Sequence, residues 1–155
     1  MNKRKGFTLV ELVVVMAIIG FLAAILVPTL MGYIKKSRLK QSNANAKIAY
    51  NVVSGVEGKF IIEGKDPGVL FGIEIDCRGD NPIPDNETTR QIYESMMVNG
   101  KGSGIMYIGS FDISDNEDAM FIQWKTSEDD YMVGQYPGAS NDSQNVPTWK
   151  TYWTK

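Results

Sequence analysis

Few side chains in this sequence could carry out chemistry. It contains no histidine, and Cys77 is its only cysteine, so no histidine-based catalytic site and no intrachain disulfide can form. The densest group of oxygen ligands is the acidic segment with Asp112, Asp115, Glu117 and Asp118. Calcium takes about six to eight oxygens from a tight loop, but this segment lacks the EF-hand spacing and its glycine. We therefore interpret it as a solvated turn, with a calcium site as the less favoured alternative, and predict no cofactor and no enzyme activity.

Aromatic side chains are concentrated in the last seven residues. Trp149, Tyr152 and Trp153 lie there, and a planar row of exposed rings can stack on sugars or contact a protein. The simpler interpretation is that these rings pack a thin sheet against its loops. Both interpretations stay open at this point, and the first would make the chain a glycan-binding adhesin.

A single carboxylate lies inside a long apolar segment. From Phe7 to Val27 only Thr8 and Glu11 carry polar side chains. As a helix rising about 1.5 Å per residue, this segment would cross a hydrocarbon core of about 30 Å. An unpaired carboxylate in lipid is costly, and the segment holds no basic residue. The pattern predicts a membrane helix in which Glu11 has a functional partner.

Two other positions in this helix bear on how it would pack. Gly20 and the pair Ala23-Ala24 make the helix thin, so that another helix could approach closely. Pro28 ends the apolar span although residues on both sides read as helix, which predicts a kink or a locally unwound turn.

The segment from Lys5 to Glu11, KGFTLVE, resembles the class III signal of type IV prepilins. The resemblance implies that a prepilin peptidase cuts between Gly6 and Phe7, and that Phe7 is then N-methylated. It also implies that Glu11, the fifth residue of the mature chain, pairs with the terminal amine of a neighbouring subunit. Pro28 matches the helix-interrupting proline of the family. The missing disulfide departs from many Gram-negative pilins and suggests a Gram-positive-like type.

The chemistry of cleavage agrees with this resemblance. A cut after Gly6 would create an ammonium on Phe7, which is the partner that Glu11 lacks. The two groups lie little more than one helical turn apart, so the sequence leaves both an intrachain and an interchain pair open.

The implied fold class is α+β, the pilin fold, with a long N-terminal helix packed against a small antiparallel β-sheet. We expect a leader over residues 1–6, a transmembrane and assembly helix over 7–33, an amphipathic half of the helix over 34–63, and a head over 64–155. In the amphipathic half, seven residues recur at steps of three and four and predict a narrow packing stripe: Leu39, Ser42, Ala46, Ala49, Val53, Val56 and Phe60.

Alternation and turn residues outline the head. Apolar and alternating runs predict strands over 69–75, 105–113, 119–126 and 130–136, and residues 148–154 could form a final strand or an ordered tail. Asp85 or Asn86 should cap a helix over 87–98 that is closed by Asn99 and Gly100. We expect Cys77 to be a small buried residue rather than a reactive one.

The predicted function is a structural subunit of a type IV pilus that serves adhesion or motility. Expected partners are other pilins in a homopolymer or mixed filament, the prepilin peptidase, the cytoplasmic membrane, the assembly machinery and a surface polysaccharide. Loss of Lys3, Arg4 and Lys5 with the leader leaves 13 basic and 18 acidic residues, a net charge of −5, which argues against nucleic acid. The alternatives are a secretion-type pseudopilin and the adhesin. The resemblance places the leader inside the cell and the head outside, with the mature subunit in an extracellular filament.

Overall fold

The computed structural model describes residues 7–79, 85–100, 104–114 and 117–154. The chain divides into two compact units, residues 1–35 and 36–155. Helix α1, Leu9–Ile62, contributes to both units. The other helix is α2, Glu87–Gly100, and the strands are β1, Ile73–Asp76; β2, Ile105–Ser114; β3, Glu117–Lys125; and β4, Gly134–Tyr136.

The first unit is the apolar beginning of α1. This part is long and apolar enough to cross a membrane, and none of it is buried within the chain. The helix runs through Pro28 without interruption, so the predicted alternative of a locally unwound turn is wrong, while the kink stays a prediction. Pro28 cannot donate to the carbonyl of Ala24, but the next hydroxyl, on Thr29, donates to the carbonyl of Ile25 at 2.6 Å. This bond adds a side-chain hydrogen bond next to the carbonyl of Ala24, which the proline leaves without its helical donor.

In the second unit, α1 packs against a four-stranded antiparallel meander in the order β1-β2-β3-β4. The predicted stripe is confirmed, because its first six members are buried and Phe60 packs beside them. Four of them, Ala46, Ala49, Val53 and Val56, join one cluster with residues of β2 and β3, among them Met106, Ile108, Met120, Ile122 and Trp124. The cross-strand register places Met106 opposite Trp124 and Ile108 opposite Ile122. The expected α+β fold is therefore confirmed.

The contact between α1 and β4 depends on a missing side chain. Gly134 faces Ser42 and Asn43, and a Cβ at this position would overlap their backbone atoms. Asn43 completes the contact, because its Oδ1 accepts the backbone N–H of Gln135 at 3.0 Å and its Nδ2 donates to the carbonyl of Ser140 at 2.7 Å. A glycine and an asparagine thus let the edge strand lie directly on the helix.

The predicted strand over 69–75 is partly wrong. Residues Pro67–Leu70 form a 3₁₀ turn, because Asp66 caps it by accepting the backbone N–H of Gly68 at 2.8 Å. Gly72, with a φ of 80°, then redirects the chain into β1. Local capping therefore overrides the apolar pattern for the first residues of that segment.

The predicted strand over 130–136 is also too long, since only Gly134–Tyr136 is extended. Asp130 accepts the backbone N–H of Met132 at 3.0 Å, and Val133 donates to the carbonyl of Tyr131 at 3.0 Å. These bonds make a local turn, in which Tyr131 is exposed while Met132 and Val133 are both buried. The alternation expected for a strand is therefore absent.

The remaining elements follow the predictions closely. Helix α2 begins at Glu87, and Asn86 caps it by accepting the backbone N–H of Thr88 at 2.9 Å. It extends to Gly100, two residues beyond the predicted end. Strands β2 and β3 lie where the alternation indicates, although β3 begins at Glu117. Residues 148–154 form an ordered tail and no strand.

Candidate assembly site and head contacts

The beginning of α1 is closed by a reciprocal pair of side chains. Thr8 is the N-cap residue, since its carbonyl accepts the first helical bond, from Leu12 at 3.2 Å. Oε2 of Glu11 accepts the backbone N–H of Thr8 at 2.9 Å and its hydroxyl at 2.7 Å. The Thr8 hydroxyl in turn accepts the backbone N–H of Glu11 at 3.2 Å. This arrangement is a capping box, in which helix-end donors are satisfied by neighbouring side chains.

The capping box gives Glu11 a partner inside its own chain. The partner consists of a neutral hydroxyl and an amide rather than a cation, and the whole group is exposed among apolar residues. Phe7 and Leu9 are each 79% exposed. Among the residues that the structure describes, Thr8 is thus the hydrogen-bond partner of Glu11, and no cation pairs with it.

The other predicted assembly residues lie on the same exposed helix. Beyond the backbone of its own helical turns, a Cβ at Gly20 would meet none of the described atoms within 4 Å, so this surface is open to another helix. Pro28 lies inside α1. Phe7 is described and exposed, whereas Gly6, the other residue of the predicted cleavage site, lies outside the described residues.

The aromatic residues of the tail are half-buried, and most of their contacts are within the head. Tyr152 stacks on Phe111 with ring centres 3.8 Å apart and planes 1° apart. Trp149 has Lys125 Nζ above its ring at 4.5 Å and donates its indole N–H to Glu74 at 3.3 Å. Trp153 is bound through its backbone. One face of Tyr152 and one of Trp149 are therefore already occupied, which agrees with packing of the sheet.

Two buried glutamines hold this tail, and the sequence analysis missed them. Gln123 Nε2 donates to the carbonyls of Thr148 at 2.9 Å and Thr151 at 2.7 Å, and its Oε1 accepts the backbone N–H of Lys150 at 2.6 Å. Gln135 Oε1 accepts the backbone N–H of Trp153 at 3.1 Å, and its Nε2 donates back to the carbonyl of that residue at 3.0 Å. The signal in the sequence was a glutamine alternating with apolar residues in each of two predicted strands.

The weak calcium candidate falls largely on residues that the structure leaves out. Asp112 is exposed, Asp115 lies outside the described residues, and so do the side chains of Glu117 and Asp118. Within the described parts of the chain, no group of three or more metal-binding side chains occurs.

Cys77 is fully buried, as predicted. Burial, together with the neighbouring charge of Asp76, raises the pKa of its thiol to about 12. A thiol that stays protonated near neutral pH is a poor nucleophile, which agrees with the interpretation of Cys77 as a small core residue.

Known proteins share the N-terminal motif and much of the chain. Residues 1–27 match the family model described as the prokaryotic N-terminal methylation motif. A type IV major alpha-pilin of Moraxella bovis is 32% identical over 114 residues, which cover 74% of this chain and 69% of the relative. A fimbrial protein of Pseudomonas aeruginosa is 29% identical over 113 residues, covering 67% of this chain and 73% of the relative.

Other relatives match over shorter stretches, which cover less than half of this chain and less than half of the relative. A type IV major fimbrial protein of Dichelobacter nodosus is 35% identical over 68 residues, covering 44% of this chain and 41% of the relative. No solved structure matches.

The chain combines an apolar N-terminal helix, whose first turn is closed by the Thr8–Glu11 capping box, with an antiparallel meander packed on a helix. The chain belongs to the type IV pilin family.

Proposed function

We propose that the chain is made as a membrane-anchored prepilin, is cut between Gly6 and Phe7, is N-methylated on Phe7, and is then assembled through residues 7–33. As a type IV pilin it is a structural subunit of a pilus and not an enzyme. The relatives named above are pilins and fimbrial proteins, so the alternatives of a secretion pseudopilin and of a glycan-binding adhesin are not favoured. The methylation-motif match over residues 1–27 supports the processing steps.

The partners and the topology follow from the same proposal. A prepilin peptidase would act on the leader at the inner face of the membrane, and assembly machinery would extract the mature subunit. The head would lie outside the cell. Basic residues occur on both sides of the span, in the leader and at Lys35, Lys36, Arg38 and Lys40, so the charge pattern alone leaves the orientation open.

Two different forces would act on the apolar helix. In the membrane, the apolar side chains are covered equally well by lipid and by protein. Association of one helix with another therefore depends on close packing and polar pairs. In the extracted filament, the same side chains would face water unless neighbouring helices covered them, and each large one buried contributes about 1.5–3 kcal/mol. Residues 9–34, all exposed in the single chain, supply this surface. Burial would therefore hold the filament together, whereas polar pairing would select the register.

We propose that Glu11 selects the register in which neighbouring subunits pack. In the unassembled subunit its carboxylate is held by Thr8, at 2.7 Å from the hydroxyl. The ammonium of Phe7 on a neighbouring subunit would be a stronger partner, because it adds the attraction between two opposite charges in a low-dielectric surrounding to the hydrogen bond. Docking would then exchange the capping box for an ion pair, and only a correctly staggered neighbour would offer that exchange.

The Thr8–Glu11 pair carries this proposal, and the variant Glu11→Gln tests it. Glutamine keeps the size and can keep the capping box, but it has no charge for the ammonium of Phe7. We expect Glu11→Gln to be processed and inserted like the wild type but to yield few filaments in sheared surface fractions. Wild-type filament yield from Glu11→Gln would overturn the proposed charge pair.

A further inference from the structure

The last described segment, residues 147–154, is attached to the sheet in an unusual way. It is ordered, but it contains no strand. Its backbone groups at Thr148, Lys150, Thr151 and Trp153 are bonded instead by side-chain amides that belong to β3 and β4. We call residues 147–154 the C-terminal segment.

The two amides that hold it form one connected network. Gln123 Nε2 also donates to Gln135 Oε1 at 3.1 Å, and the two residues face each other in the β3–β4 register. Both side chains are fully buried. Each amide both donates to and accepts from the backbone of the C-terminal segment. Removing the Gln123 amide would take the side-chain partners from the part-buried carbonyl of Thr151 and N–H of Lys150, and removing the Gln135 amide would do the same to both backbone groups of Trp153. Leaving such groups unpaired costs more than losing a bond at the surface.

The C-terminal segment covers an aromatic part of the sheet. Tyr152 stacks on Phe111 and lies 5.3 Å from the ring centre of Phe121, and Trp149 lies 6.1 Å from that of Tyr107. Its outer contacts are weaker, because the ion pair of Lys150 with Glu74 at 2.9 Å is half-exposed. Lys150 also has a φ of 64°, an unfavourable conformation for a residue with a side chain.

We infer that Gln123 and Gln135 form a non-covalent lock that holds the C-terminal segment closed over the aromatic face of the head. The lock fastens the C-terminal segment by hydrogen bonds alone, and Cys77 is the only cysteine of the sequence. Opening the lock releases the C-terminal segment as a unit and uncovers Phe111 and Phe121, while the β2–β3 ladder and the α1 contact stay in place. This inference concerns the folded head and is independent of how the filament assembles.

Hydrogen exchange on the full-length protein in detergent micelles tests the lock. The variants Gln123→Met and Gln135→Met keep the length and packing of the side chain but remove the amide, and Gln91→Met on the exposed face of α2 is the matched control. We expect both lock variants to exchange the amides of Lys150 and Trp153 about tenfold faster or more, with the β3 amide of Ile122 unchanged. The control should match the wild type at all three amides.

Two results would overturn the inference. One is unchanged protection of Lys150 and Trp153 in both lock variants, and the other is an equal loss of protection at Ile122, which would make the C-terminal segment part of the sheet's own folding unit. If a variant fails to fold, wild-type exchange in low urea decides the question. The lock requires Lys150 and Trp153 to open together below the concentration that opens Ile122, and simultaneous opening of all three would contradict it.

Discussion

Gly134 of β4 lies directly against the backbone of Ser42 in α1, with no room for a Cβ between them. The contact brings the edge strand onto the narrow packing stripe of α1 and allows Asn43 to bond both Gln135 and Ser140. The position of the sheet on the helix therefore depends on a single absent methyl group.

The variant Gly134→Ala should destabilise the head. The new methyl group would overlap main-chain atoms that cannot rotate away, and overpacking of this kind costs about 1–3 kcal/mol or more. Thermal unfolding of the full-length protein in detergent, followed by near-ultraviolet circular dichroism, measures the loss. Gly55→Ala is the control, since Gly55 is an exposed position of α1 with open space around it and alanine should stabilise that helix by about 0.5–1 kcal/mol. A Gly134→Ala protein as stable as the wild type would show that the helix and the strand can separate freely.

Thr8 should matter for the subunit before assembly. Thr8→Val removes the hydroxyl that holds Glu11, and loss of an N-cap costs about 1 kcal/mol even without the added cost of an unpaired carboxylate in lipid. In cells that cannot assemble pili, we expect the level of membrane-resident subunit to fall for Thr8→Val. Quantitative immunoblotting of membranes measures it.

Thr8→Ser is the matched control, because serine keeps the hydroxyl and should restore the wild-type level. Equal membrane levels of the Val and Ser variants would show that the capping box does not protect Glu11 in the bilayer.

Replacing Gly6 should separate processing from insertion. The leader contains three basic residues, so a chain that keeps it has three more basic side chains and six more residues than the cut chain. We expect Gly6→Leu to insert but to remain uncut, because the side chain would block the peptidase at the cleaved bond. Intact mass of the purified membrane protein identifies the leader, and efficient cleavage of Gly6→Leu would place the cut elsewhere.

Cys77 should be inert in the native protein. Because burial raises the pKa of its thiol to about 12, we expect almost no reaction with iodoacetamide at pH 8, and complete reaction once urea unfolds the head. The same shift sets a pH window for stability. The thiol of the unfolded chain ionises near its ordinary pKa of 9.0, whereas the folded thiol stays protonated up to about pH 12. The contribution of Cys77 to the free energy of unfolding is therefore complete below pH 9 and is lost as the pH rises from about 9 to 12. Rapid native labelling at pH 8 would show that the head opens around β1.

Much of the fold could be predicted, because periodicity reports burial. The stripe from Leu39 to Val56 and the alternation through Ile122 and Trp124 both locate the core correctly. The segments at Val69 and Tyr131 could not be predicted from that pattern, since the side chains of Asp66 and Asp130 bond nearby N–H groups and turn the chain locally. Local capping and strand alternation compete in these two segments, and the pattern of apolar residues indicates only the strand.

Only part of the chemistry at the beginning of α1 could be predicted from the sequence. The sequence shows Glu11 as a carboxylate that needs a partner, and the family resemblance supplies the ammonium of Phe7. The nearer partner, Thr8, depends on where the helix begins, which the apolar run does not mark. The buried role of Gln123 and Gln135 was harder still to predict, because polar residues in a half-buried strand ordinarily face water.

The most direct measurement is N-terminal sequencing with intact mass on filaments sheared from the cell surface. Our account predicts a chain that begins at N-methylated Phe7 and lacks residues 1–6, recovered in the filament fraction. A chain that still begins at Met1 and is found only in membranes would contradict processing and assembly together.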